Sequence, residues 1–186
     1  MNRFNVRNLP LPGLKLIERQ RRGDHRGFLT RLFCAEELAA AGWTNPVAQI
    51  NHTFTATRGT VRGMHFQRPP YADMKLVTCI RGEIFDVAVD VRIDSPTFLH
   101  WHTQHLSADN HCALLIPEGF AHGFQTLTHD VELLYCHAAA FVAEAEAGLH
   151  PQDPQLAITW PLSITELSTR DAAHPRIAAG FTGVRT

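Results

Sequence analysis

The segment Ile84-Phe85-Asp86-Val87-Ala88-Val89-Asp90-Val91 constrains the fold more than any other part of the chain. It is rich in β-branched residues and too short for an independent helix, so it reads as a strand. The turn signal Arg81-Gly82 precedes it, and the apolar run 75–80 precedes that turn. Residues 111–117 and 131–136 have the same character. Several short strands broken by turn signals between residues 49 and 135 point to a sandwich or barrel. Helix signals are few. Residues 35–41 are good helix formers that Gly42 can stop, and residues 163–167 are expected to begin a second helix. The expectation is a mostly β architecture with a few short helices.

A chain of 186 residues suits one domain, here 1–186, large enough to bury a core without staples. With 45% hydrophobic and 19% charged residues, the composition argues against disorder. A formal net charge of -1 gives no broad basic excess that would suggest nucleic acid. Cys34, Cys79, Cys112 and Cys136 fall in no CxxC spacing, so they signal neither zinc nor a redox motif and read as thiols in a reducing compartment. Residues 1–14 lack a signal-peptide core and the longest apolar runs are far below a membrane span. A cytoplasmic protein without membrane attachment is the expectation.

Asp86 and Asp90 are four apart and share one strand face with Ile84 and Ala88. Two readings stay open: solvated edge positions, or a polar barrel interior where a ligand would sit.

Four segments could carry chemistry. In Arg62-Gly63-Met64-His65-Phe66-Gln67, His65 could serve as a base near neutral pH. Arg62 and His65 would face opposite sides of a regular strand unless Gly63 marks a bulge. In Ile116-Pro117-Glu118-Gly119-Phe120-Ala121-His122-Gly123-Phe124, His122 is expected on a tight turn. His100 and His102 share a face as a metal pair would, but no nearby acid completes a facial triad, and an exposed edge strand accounts for them. In Ser168-Thr169-Arg170-Asp171, the carboxylate could orient a histidine from elsewhere or simply cap a surface turn.

Taken in order, these segments resemble the dTDP-4-dehydrorhamnose 3,5-epimerase family. The resemblance runs from about residue 11 to 175. It also rests on Asp24-His25-Arg26-Gly27-Phe28, Gln49-Ile50-Asn51, Lys75-Leu76-Val77, Ser95-Pro96-Thr97-Phe98, Leu134-Tyr135, Asp153-Pro154 and Trp160-Pro161. It implies a cupin-type β jelly roll, a homodimer whose N-terminal part reaches the partner's site, and a nucleoside-diphosphate 4-keto-6-deoxy sugar as substrate. It implies no cofactor and no metal. By position His65 matches the family's base, Asp171 its carboxylate partner, Lys75 the cation near the ketone oxygen and Tyr135 the proton donor. Arg26 from the partner subunit and Arg62 match the diphosphate contacts. Phe28, Gln49, Asn51, His122, Glu146 and Arg170 match substrate-binding positions, and Phe141 an aromatic that stacks there.

Four positions depart from the family pattern: Arg31 replaces a glutamate, Asp73 a glutamine, Arg170 a lysine and Phe141 a tyrosine. These are expected to lie outside the proton-transfer set, around nucleotide or sugar. The alternatives are a keto-isomerase or single-centre epimerase on another sugar nucleotide, a metal-dependent cupin enzyme, and a non-catalytic sugar-nucleotide binder. The metal-dependent class typically has a His-x-His pair, whereas His65 is followed by Phe66-Gln67. Binding alone needs neither a base nor an acid.

Overall fold

A computed structural model describes residues 3–178 and 180–186. Met1, Asn2 and Ala179, which the sequence reading included, lie outside the described residues. The strands are β1 (Phe4–Asn8), β2 (Lys15–Arg19), β3 (Arg22–Asp24), β4 (Gly27–Leu29), β5 (Gln49–Thr55), β6 (Val61–Gln67) and β7 (Lys75–Arg81). They continue as β8 (Glu83–Asp90), β9 (Trp101–Ser107), β10 (Cys112–Ile116), β11 (Phe120–Thr126), β12 (Val131–His137) and β13 (Glu146–Gly148). Two short helices, α1 (Ala35–Ala39) and α2 (Thr169–Ala172), complete the regular structure. A six-stranded antiparallel sheet, ordered β1-β2-β10-β7-β12-β5, faces a five-stranded one, ordered β13-β6-β11-β8-β9. β3 and β4 form a separate hairpin. This is the mostly β, cupin-type jelly roll expected.

β8 reads as a nearly continuous apolar run because both of its faces are covered. Ile84 and Ala88 pack inward in the core between the sheets, with Val77, Leu114, Phe120 and Leu133. Val87 and Val89 point the other way, into a second cluster where Leu149, Leu156, Ile158 and Ile177 of the C-terminal chain cover the five-stranded sheet. The six-stranded sheet is covered on its outer face by Phe4, Leu38, Ala41 and Trp43. At about 25 cal/mol per Å² of apolar surface removed from water, these three clusters dominate the stabilisation.

The inner faces change character along the strands. On β7 the alternating inward positions run Cys79, Val77, Lys75, and on β12 Leu133, Tyr135, His137, with Cys79 opposite Leu133 and Lys75 opposite His137. β5 adds Thr53, Asn51 and Gln49 in the same rows. The sandwich is therefore apolar at one end and polar at the other. Asp86 and Asp90 are fully buried, so the solvated-edge reading fails; Asp86 fits a polar interior beside His122, whereas Asp90 is bound by Arg92, Ser95 and Thr97.

Two expectations need correction. Residues 163–167 are extended, because their backbone is engaged with a neighbouring strand and loop: Val61 N–H donates to Glu166 O and Thr165 N–H to Gly59 O. The helix begins later, at Thr169, where the Ser168 hydroxyl accepts the Asp171 N–H at 3.0 Å. His122 is not on the turn: the turn is confined to residues 117–119 and His122 lies within β11. α1 forms where expected, and Gly42 at φ +102 follows its end. All four cysteines are free, and burial pushes the Cys79 thiol up to about 12. No helix among the described residues is long and apolar enough to cross a membrane.

β6 carries the irregularity that matters most. His65 stands opposite His122 and Arg62 opposite Phe124, so three steps on β6 match two on β11. This extra residue is a bulge, and it turns Arg62 and His65 to the same side. Gly63 has φ +130, and a Cβ there would lie 2.6 Å from the Gly123 Cα. Gly123 is equally confined, since a Cβ on it would lie 2.6 Å from the Met64 sulfur. Gly63→Ala combines an unfavourable φ with overpacking, so it should lower the unfolding free energy by about 2 kcal/mol or more. Urea titration checks this; an unchanged midpoint would refute the bulge as a steric constraint.

Candidate active site

The polar end of the sandwich opens into a cavity of about 290 Å³. Gln49, Asn51, Lys75, Tyr135 and His137 line it from the six-stranded sheet, and Arg62, His65, His122 and Glu146 from the five-stranded one. Asp73, Phe141 and Arg170 complete the rim. Of the residues named from sequence, Arg26 and Phe28 are not at this cavity. Both lie on the exposed β3–β4 hairpin, where Arg26 pairs with Asp24 at 2.6 Å.

His65 Nε2 lies 2.7 Å from Asp171 Oδ1. The other carboxylate oxygen accepts the Gly63 N–H at 3.1 Å. α2 thus delivers Asp171 to the bulge from the far end of the chain. Burial tends to raise the Asp171 carboxyl, but the hydrogen bond and charge of His65, the Gly63 N–H and Arg170 outweigh it and lower it to about 2. An ionised Asp171 only accepts, so Nε2 carries the hydrogen and Nδ1 keeps its lone pair.

Tyr135 is buried in the opposite wall. Burial first, then the negative charge of Asp86, raises its phenol above the ordinary value, so it enters any reaction protonated. Its ring meets His122 edge-on at 6.1 Å and stacks on His137 at 5.9 Å. His122 is itself held by Asp86, Nε2 to Oδ1 at 2.7 Å, with both side chains buried. Arg62 is steadied at its Nε by the Thr55 hydroxyl at 3.0 Å. Phe141 is exposed at the rim, and its N–H donates to Gln49.

Two of the departures touch the set they were expected to avoid. Arg170 Nε lies 3.4 Å from Asp171 Oδ1, and its Nη1 pairs with Glu146 at 2.9 Å. Asp73 Oδ2 lies 3.5 Å from Lys75 Nζ. The short spacing explains the second: Asp73 lies two residues before Lys75, the first residue of β7, so its carboxylate falls on the same side as Lys75. Arg31 does lie apart, paired with Glu37.

Sequence reasoning missed His137 and His174. His137 was hidden because its partner, Asp73, is 64 residues away in the chain. His174 packs edge-on against His65 at 5.5 Å, and its Nε2 is 3.7 Å from Asp171 Oδ1. Burial, then the charge of His65, lowers its pKa. His65, Asp171 and His174 have ligand atoms within 4.8 Å of one another, as a metal site would. However, an Arg170 nitrogen lies 3.2 Å from His65 Nε2, so a cation would have to displace a guanidinium. The chemistry that fits is a hydrogen-bonded base on one wall, with a protonated phenol and an ammonium on the other.

A family model described as dTDP-4-dehydrorhamnose 3,5-epimerase matches residues 8–179. The dTDP-4-dehydrorhamnose 3,5-epimerase of Sinorhizobium fredii is 41% identical over 178 residues, covering 95% of this chain and 91% of that protein. The dTDP-4-dehydrorhamnose 3-epimerase of Streptomyces niveus is 37% identical, covering 90% of this chain and 81% of that protein. The crystal structure of dTDP-6-deoxy-D-glucose-3,5-epimerase from Legionella pneumophila, in complex with dTDP-4-keto-L-rhamnose, is similar with a TM-score of 0.92 and 37% identity, covering 98% of each chain. With its fold, cavity and sequence in agreement, this chain belongs to the dTDP-4-dehydrorhamnose 3,5-epimerase family.

Proposed function

We propose that this isomerase epimerises a dTDP-4-keto-6-deoxy hexose at C3 and C5, converting dTDP-4-dehydro-6-deoxyglucose to dTDP-4-dehydrorhamnose. The observation that carries the reading is the opposition, across one cavity, of His65 on Asp171 against Tyr135 and Lys75. The C4 ketone acidifies the neighbouring C–H bonds. His65 Nδ1 takes the proton; the C–H electron pair forms the enolate double bond, and the carbonyl π pair moves onto oxygen. The Lys75 ammonium stabilises that oxygen, and preorganised charge at such a position is usually the largest single contribution. Tyr135 returns a proton on the opposite face, which inverts the centre. Asp171 supports the imidazolium formed at His65, as an Asp does behind the His of a hydrolase triad. Resetting the site requires His65 to lose its proton and Tyr135 to regain one.

Arg62 is assigned to the diphosphate, with Gln49, Asn51, His122, Phe141, Glu146 and Arg170 as further substrate contacts. The active form is a cytoplasmic homodimer of one-domain subunits, in which Arg26 and Phe28 reach the partner's cavity. Exposed Phe28, Leu29, Ile50 and Phe54 support this, because Ile50 and Phe54 project outward from β5, the uncovered edge of the six-stranded sheet. A second reading, inversion at C3 alone, has the Streptomyces niveus relative in its favour. Label from D2O at C3 and C5, read by NMR, separates the two.

Three outcomes are expected. His65→Asn should abolish solvent exchange at both carbons while retaining nucleotide binding; persisting exchange would remove His65 as the base. Because Asp171 is held near 2, its ionised form, and the stability that it lends above the ordinary carboxyl range, should be lost only as pH falls toward 2. Any loss of exchange between pH 7 and 5 in a pH–rate profile therefore belongs to another group, and Asp171→Asn should lower the plateau rate itself.

Tyr135→Phe and Lys75→Ala should fail differently. Without the phenol, His65 still deprotonates the substrate, so exchange persists while inversion falls by about 10²–10⁴. Without the ammonium, exchange and inversion fall together. A Tyr135→Phe variant that inverts at the parent rate would transfer the role of acid to another group.

For the interface, light scattering should report a dimer, and Arg26→Ala should raise KM about tenfold. An active monomer would exclude donation of Arg26 across the interface.

A further inference from the structure

Lys75 sits on a flexible four-carbon stem, so something must fix where its charge lies. Among the described residues, its one ion pair is with Asp73, 3.5 Å from Nζ to Oδ2. Asp73 is itself buried. The same oxygen accepts the His137 Nδ1–H at 2.7 Å, and Oδ1 accepts the Ala139 N–H at 3.2 Å. His137 stands directly opposite Lys75 in the sheet. A buried carboxylate with two hydrogen-bond donors is a fixed point, and Lys75 is held beside it by charge.

The rigidity extends further, because every hydrogen in the chain of contacts has one possible direction. The Phe141 N–H donates to Gln49 Oε1 at 3.1 Å, which turns Gln49 Nε2 to Asn51 Oδ1 at 3.0 Å. Asn51 Nδ2 then faces His137 Nε2 at 3.5 Å, so that nitrogen is the acceptor and Nδ1 carries the hydrogen. The donation ends on Asp73. A backbone N–H at the cavity rim thus fixes, through two side chains, the tautomer of the histidine that anchors the carboxylate.

We propose that Asp73 is a positioning residue for the epimerisation, setting the Lys75 ammonium against the ketone oxygen, and that His137 holds Asp73 for that purpose. This rests on the reading of Lys75 as the group that stabilises the enolate. At 3.5 Å Asp73 holds the ammonium by charge, and Lys75 lines the cavity beside it. The carboxylate does not touch the reacting atoms; its effect passes through the lysine.

The test is D2O exchange into dTDP-4-dehydro-6-deoxyglucose, with dTDP binding and thermal melting run on each variant. Asp73→Asn should lower kcat for exchange at both carbons by about 10²-fold with KM nearly unchanged, as misplacement of a catalytic group does. In a Lys75→Met background, the same substitution should cost nothing more. His137→Ala should lower kcat in the same direction. His137→Asn, whose amide places an N–H near the lost Nδ1–H, should recover most of it. This pair also carries the test if Asp73→Asn does not fold. Parent-like kcat in Asp73→Asn overturns the proposal, as does a full penalty in the Lys75→Met background or equal kcat in the two His137 variants. Parent-like exchange in Lys75→Met alone would instead overturn the enolate role of Lys75, and the proposal with it.

Discussion

Three carboxylates around one cavity each hold one histidine at 2.7 Å: Asp171 with His65, Asp86 with His122 and Asp73 with His137. The arrangement of the polar end follows from this requirement. A carboxylate between two apolar sheets is costly unless it receives hydrogen bonds. A buried imidazole needs its N–H satisfied in turn. Pairing supplies both and leaves each ring with one nitrogen turned away from its carboxylate: Nδ1 for His65 and His122, and Nε2, which accepts from Asn51, for His137. The orientation that catalysis requires is therefore also the arrangement that makes the buried charge tolerable. Asp86 has a second consequence, since its charge joins burial in keeping Tyr135 protonated.

The bulge in β6 resolves a conflict that a regular strand could not. Arg62 and His65 are three apart, and period-two alternation would send one of them into the outer cluster with Met64 and Phe66. Inserting a residue opposite Gly123 brings both to the cavity while the hydrogen-bonded neighbours β11 and β13 remain paired. Only a pair of glycines permits the backbones to approach this closely. The Gly63 N–H, released from regular pairing, then serves as a donor to Asp171. The irregularity thus supplies part of the electrostatics that lower that carboxyl.

Much of the architecture was legible because it rests on local chemistry. The β-branched run of β8 and the Arg81-Gly82 turn before it report their own backbone preference, and Gly63 announced a bulge. The motif around His65 gave the likeness to known epimerases. What escaped was carried by register. Nothing near His137 indicates that Asp73 lies beside it, because their meeting depends on β12 pairing with β7. The start of α2 was misjudged for a similar reason: residues 163–167 have helical character, but Val61 and Gly59 take their backbone groups. Asp73 and Arg170 read as peripheral substitutions until folding set them against Lys75 and Asp171.

The two sheets contribute differently to the reaction. The five-stranded sheet carries His65, the proposed base, and its outer face is covered by the same C-terminal chain that delivers Asp171. The six-stranded sheet carries Tyr135 and Lys75, the proposed acid and cation, placed by the register of β12 on β7. Tyr135 packs in the core between the sheets, whereas Met64 and Phe66, on either side of His65, belong to the outer cluster. The proposed chemistry has the same division, with its two proton transfers on opposite faces of one planar intermediate.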